Sequence, residues 1–72
     1  MESAVCILLG QRIRKLRKAR GWRQLDLAEQ AGINENYVSD LELGRKEACL
    51  RTLSTLARAF GMKLDELLRD LE

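Results

Sequence analysis

The stretch Gln24-Leu25-Asp26-Leu27-Ala28-Glu29-Gln30-Ala31-Gly32-Ile33-Asn34-Glu35-Asn36-Tyr37-Val38-Ser39-Asp40-Leu41-Glu42-Leu43 decides the fold of this chain. Leu25, Ala28 and Ala31 recur at spacing three before Gly32, which predicts a helix of barely two turns. Val38 and Leu41 define the apolar side of a further short helix, entered through Asn34, a favoured N-cap residue. Between the two lie only Gly32, Ile33 and Asn34. A turn of that length with glycine at its start is how a helix-turn-helix sets two helices at a steep angle, with Ile33 as an apolar plug. With Val38 and Leu41 inward, about 100° per residue turns Asn36, Ser39, Asp40 and Leu43 outward, and Glu35 stands at the start. Short amide, hydroxyl and carboxylate groups on such a face suit the major groove, where asparagine pairs with adenine and a carboxylate accepts from cytosine. The same residues also suit a merely solvated face.

Outward from this stretch the apolar period continues. Val5, Leu9, Ile13 and Leu16 share one side of a first helix that stops near Gly21, a residue suited to a left-handed C-cap. Leu50, Leu53, Leu56, Ala57 and Phe60 form a fourth stripe before Gly61, and Leu64, Leu67, Leu68 and Leu71 a fifth. Nothing alternates with a period of two, connections are short, and no repeat is present. The expected architecture is all-α, five helices in one domain over residues 1–72.

Composition narrows the function. At 72 residues, 46% apolar and 33% charged, the chain is neither disordered by composition nor apolar enough in any run to span a membrane. A domain of this size buries only about 60% of its unfolded surface, so a partner is expected to help hold it. Ala4 to Leu9 is apolar but lacks a basic lead and a cleavage site, so it reads as helix, not signal peptide. Cys6 and Cys49 are expected as buried thiols in a cytoplasmic protein rather than as a disulfide. Without histidine or a CxxC pair no ordinary zinc site can form, and no cofactor is expected. The net charge of +2 is uninformative, but seven of the thirteen basic residues lie between Arg12 and Arg23 with no acid among them. The run Arg12, Arg14, Lys15, Lys18, Arg20 and Arg23 is read as a mixture of phosphate footprint and solvated helix face.

Gln24 to Asn34 followed by Asn36 to Glu42 closely resembles the Cro/CI-type, or XRE, helix-turn-helix domain. Gly10-Gln11-Arg12-Ile13-Arg14 with Leu16-Arg17 resembles the first helix of that family, and Leu50-Arg51-Thr52-Leu53 with Leu56-Ala57 its fourth, so the resemblance runs from Gly10 to Leu68. It implies a lambda-repressor-like fold and, for members of this length such as restriction-modification controller proteins, homodimers on palindromic DNA. By position it makes Gln24, with Arg23 beside it, a phosphate contact, and Asn34, Glu35, Asn36 and Asp40 base readers. Tyr37, Ser39 and Arg45 then stand where the family touches backbone or flanking bases. Arg17 and Glu42 occupy positions that form a partly buried ion pair in related domains, valued for orienting the third helix more than for stability. Trp22 is expected as a packed aromatic between the first two helices.

Departures from the family pattern matter as well. Arg23 and Lys63 replace the usual serine or threonine caps, so the second and fifth helices are expected to fray or start late. Ala48-Cys49 stands in place of Pro-Ser, Leu43 in place of arginine or asparagine, and Glu35 in place of a basic residue. Four leucines in the eight residues from Leu64 to Leu71 are more than one side of a short helix needs, so Leu64, Leu67, Leu68 and Leu71 are expected to meet a second subunit. The reading is therefore a cytoplasmic, dimeric, sequence-specific regulator of transcription that binds double-stranded DNA and takes no small-molecule ligand. Its rival is a protein-interaction module, an antitoxin or anti-repressor, using the acids Glu35, Asp40 and Glu47 against a basic partner. An enzyme is not expected, since no nucleophile and base are paired and a pocket has no room.

Overall fold

The computed structural model describes residues 3–71, and among them every regular element is a helix: α1 Ala4–Ala19, α2 Gln24–Ala31, α3 Glu35–Glu42, α4 Leu50–Ala59 and α5 Leu64–Leu68. None of these helices is long and apolar enough to cross a membrane. Ile13, Leu27, Val38, Leu41, Leu56 and Leu67 are fully buried, so all five helices contribute to one core. Leu9, Ala28, Ala31, Ala57, Phe60 and Leu71 complete it, and Ile33 packs partly buried against it from the turn.

Several expected core positions are displaced. On α2 the large buried residue is Leu27, while Leu25 is exposed; in a two-turn helix both sets, 25/28/31 and 27/28/31, share Ala28 and Ala31, and spacing alone does not choose. Val5 and Leu50 lie on their helices' stripes but in the first turn, beyond the reach of the core, and both are exposed. Of the fifth stripe, Leu67 is completely buried and Leu71 nearly so, while Leu64 and Leu68 are half-buried. The four leucines are thus not one outward face: Leu67 on α5 and Leu71 in the segment after it both turn into the core. Neither cysteine is buried: Cys6 is half-buried, Cys49 is exposed as the N-cap residue of α4, and both are free.

The helix starts that lack serine or threonine are neither late nor open. The Asp26 carboxylate accepts from the Arg23 backbone N–H at 2.8 Å, and the Glu66 carboxylate from Lys63 N–H at 2.8 Å. These are the reciprocal halves of capping boxes, supplied from the third helical position, and they satisfy an otherwise orphaned donor at each start. A left-handed glycine follows or ends four of the helices, Gly21, Gly32, Gly44 and Gly61, and at Gly44 the positive φ also lets the chain turn back over Ile7.

Gly10, in the middle of α1, is buried against the end of α3. A Cβ there would lie 2.6 Å from the Glu42 carbonyl oxygen and nearer still to that of Leu41. The missing side chain is what lets α1 and α3 touch backbone to side, and this contact fixes the depth at which α3 sits in the domain.

Candidate nucleic-acid interface

Helix α3 is held at both ends by side chains from elsewhere. At its start the Asn34 side chain accepts from Asn36 N–H at 2.7 Å, satisfying the free amides of the first turn. At its end Glu42 is buried, and Arg17 from α1 grips it in a fork: Nε to Oε2 at 2.6 Å and Nη2 to Oε1 at 3.0 Å. Arg17 also donates from Nη1 to the Trp22 carbonyl at 2.7 Å, and Gln24 donates from Nε2 to Glu42 Oε1 at 3.1 Å. The hydrogen bond to Glu42 raises the Arg17 pKa above its already high ordinary value, so the arginine is charged throughout any usable pH. No buried side-chain nitrogen or oxygen among the described residues is left unpartnered. The result is a four-way clamp joining α1, the α1–α2 turn, the start of α2 and the end of α3.

On the outward side of α3 stand Glu35, Asn36 and Leu43, all exposed, with Ser39 and Asp40 half-buried between them. The Asn36 side chain makes no hydrogen bond among the described residues. Asn34, by contrast, has its carbonyl oxygen engaged in the cap, which leaves only its amide to reach outward. Tyr37 donates from its hydroxyl to the Glu47 carbonyl at 3.2 Å and so pins the loop after α3. Asp40 forms an ion pair with Lys46 at 3.1 Å, and Arg45 extends into solvent beside it. Lys46 escaped the reading of the sequence, although its place two residues beyond the turning glycine Gly44 brings it back over α3.

The basic residues divide into two groups. Arg12 donates from Nη1 to Leu67 O at 2.9 Å and from Nη2 to Arg69 O at 2.8 Å, covering the free carbonyls at the end of α5. Arg20 donates to the carbonyls of Leu16 and Phe60, and its guanidinium lies 4.8 Å from the Phe60 ring centroid and 5.8 Å from that of Trp22. Trp22 is a packed aromatic, but its stacking partner is Phe60 at the end of α4, with centroids 5.9 Å apart. With Arg17 in the clamp, these three arginines are each bonded to carbonyls or a carboxylate of the fold. Arg14, Lys15 and Lys18 remain exposed on α1. Arg23 is exposed and paired with Asp26 at 3.0 Å, a bond that raises the arginine pKa and lowers that of the carboxyl.

Two short helices joined by a left-handed glycine, the second of them clamped at both ends and presenting a polar face, define a helix-turn-helix domain. The helix-turn-helix family model HTH_3 matches residues 13–67, and the chain belongs to that family. It is 44% identical over 64 residues to the HTH-type transcriptional regulator DdrOP3 of Deinococcus deserti, an alignment covering 89% of this chain and 50% of that protein. The chain thus spans about half the length of that relative, and 39% of the immunity repressor of Bacillus phage phi105. Among solved structures, the restriction-modification controller protein C.AhdI of Aeromonas hydrophila superposes with a TM-score of 0.86 at 35% identity, covering 90% of this chain and 98% of that one. The clp gene regulator ClgR of Corynebacterium glutamicum superposes at 0.87 with 30% identity, covering 99% and 91%.

Proposed function

We propose that this chain is a sequence-specific DNA-binding regulator of transcription that places α3 in the major groove and binds a palindromic site as a homodimer. The observation that carries the reading is the clamp: a two-turn helix held rigidly at both ends, with the unengaged Asn36 amide on its outer face. A reading element must be fixed before it meets DNA, since ordering it on contact would cost affinity. Regulators and a controller protein of similar sequence and shape support the same reading.

Within it, Asn36 reads a base, Ser39 and Asp40 line the groove side, and Arg45 and Tyr37 lie at the backbone. Gln24 is committed first to Glu42, and what reaches phosphate there is its second amide proton together with the positive end of α2. Replacing Asn36 by alanine is expected to cost about 1–3 kcal/mol at one base position and to leave thermal unfolding unchanged. Binding measured against a selected duplex and its single-base variants checks this, and an equal loss on every sequence contradicts base readout. The wild-type protein is expected to show a steep fall of affinity with salt, and a flat response removes DNA as the partner.

A homodimer suits the dimensions. The longest extent of the domain is 29 Å, less than the roughly 34 Å between successive major-groove faces on one side of the duplex, so a palindrome with half-sites one turn apart would be read by two subunits, each with its own α3. With Leu67 and Leu71 in the core, the surface offered to a partner shifts to Leu68 with Val5 and Leu53, which line a shallow apolar groove between the start of α1, α4 and α5, while Leu64 borders a separate hollow with Ser54 and Met62. Leu68→Glu is expected to convert a dimer to a monomer in sedimentation velocity while leaving the helical circular dichroism intact. A dimer that survives this change lies on another face. The acidic protein-binding surface loses ground, because Asp40 is neutralised by Lys46 and only Glu35 and Glu47 are left to form it.

A further inference from the structure

A carboxylate on a helix that enters the groove sits between two rows of phosphates, and Asp40 is such a group. A backbone hydrogen bond and an ion pair meet at this residue. The Arg45 backbone N–H donates to the Asp40 carbonyl at 2.9 Å, tethering the segment after Gly44 to this residue, and Lys46 Nζ lies 3.1 Å from Asp40 Oδ2. The Asp40 side chain is 27% exposed and that of Lys46 59%, so the pair lies at the surface of the groove side with one carboxylate oxygen, Oδ1, not engaged by the lysine.

Resting on the DNA-binding reading above, we propose that Lys46 is a positioning residue that holds the Asp40 carboxylate to accept a hydrogen bond from the N4 amino group of a cytosine. A carboxylate only accepts, and guanine N7 and O6 and thymine O4 are themselves acceptors that repel it. Adenine offers N6–H beside the acceptor N7, whereas cytosine offers its amino group with no acceptor at its side in the major groove. With Oδ2 drawn to the ammonium, Oδ1 is the oxygen left to present to a base. The ammonium also offsets the repulsion between this carboxylate and the flanking phosphates. Of the three acids on α3, Glu42 is thus met by Arg17 and Asp40 by Lys46.

The test is equilibrium binding of the full chain to a duplex obtained by in-vitro selection and to its single-base variants, at one salt concentration. Asp40→Asn is expected to reduce the preference for one C·G pair about fivefold or more, within the range of a base contact. Lys46→Met is expected to erase the same preference at the same position although Asp40 is present, and Lys46→Arg to retain it. In the Asp40→Asn background, Lys46→Met is expected to alter discrimination at no position. A uniform loss on every duplex with the C·G preference intact makes Lys46 a phosphate contact and overturns the proposal. Retention of the preference in Asp40→Asn also overturns it. If the wild-type chain selects no duplex at all, the DNA-binding reading falls and the proposal with it, an outcome distinct from either of the others.

Discussion

Gly10→Ala is expected to lower the stability of the domain by about 3 kcal/mol and its melting temperature by more than about 10 °C. On helix propensity alone the change would stabilise by roughly 1 kcal/mol, because Gly10 lies in the interior of the sixteen-residue α1. The added Cβ, however, meets the main-chain oxygens of Leu41 and Glu42, and backbone cannot swing aside as the end of a flexible side chain can. Helix α1 must then move off α3, which opens the contact around Ile13 and Leu41 and pulls on the Arg17–Glu42 fork. For a chain of 72 residues a total of about 4 to 11 kcal/mol is typical, so the loss is a large share. Thermal unfolding followed by circular dichroism measures it. Gly21→Ala is the informative control: nothing lies within 4 Å of a Cβ there, and only the left-handed backbone is strained, at about 1–2 kcal/mol. A Gly10→Ala protein that melts higher than wild type would show that the two helices stand farther apart than described.

The second large effect is expected at the clamp. Arg17→Met removes both bonds to Glu42 and leaves a carboxylate whose side chain is 3% exposed with only the Gln24 amide, at a cost of about 3–5 kcal/mol. Arg17→Met combined with Glu42→Leu is expected to be clearly less damaging, because no charge then remains buried; the Trp22 carbonyl still loses its donor, so the double variant does not return to wild type. Denaturant unfolding of the four proteins gives the coupling, expected at about 2 kcal/mol or more. Additive losses would mean that the fork contributes nothing beyond its two separate charges. The pair's geometry also predicts where function fails: the double variant, folded but unclamped, is expected to lose discrimination between duplexes before it loses helix content.

Much of this was readable from the residues, and what was not has identifiable causes. Asn34 as cap and Val38 with Leu41 as the inner side of α3 are local properties, fixed by one turn of helix and by the side chain's own backbone. The number and order of the helices followed from glycines and apolar period. Leu27 against Leu25 was undecidable, because an eight-residue helix gives a spacing pattern too few repeats to fix its phase. The late helix starts did not materialise, since the cap comes from Asp26 and Glu66 three residues inside rather than from the cap residue itself. The arginines were the largest surprise. Arg12, Arg17 and Arg20 look like one basic strip along the chain, yet each turns to a different carbonyl or carboxylate 40, 25 or 55 residues away, and no local pattern carries such information. Lys46 belongs to the same class, its partner chosen by the turn at Gly44.

The bonds from Arg12 to the carbonyls of Leu67 and Arg69 have a kinetic side. They join points 55 and 57 residues apart, nearly the whole contour of the chain, so the entropy of closing that loop must be met before they form. Helix α5, five residues long, is too short to persist in isolation and depends on its packing against α4 and on the Arg12 bonds to α1. It is therefore expected to open locally ahead of the core helices, with Arg12 as the catch, and Arg12→Met is expected to speed hydrogen exchange of the α5 amides.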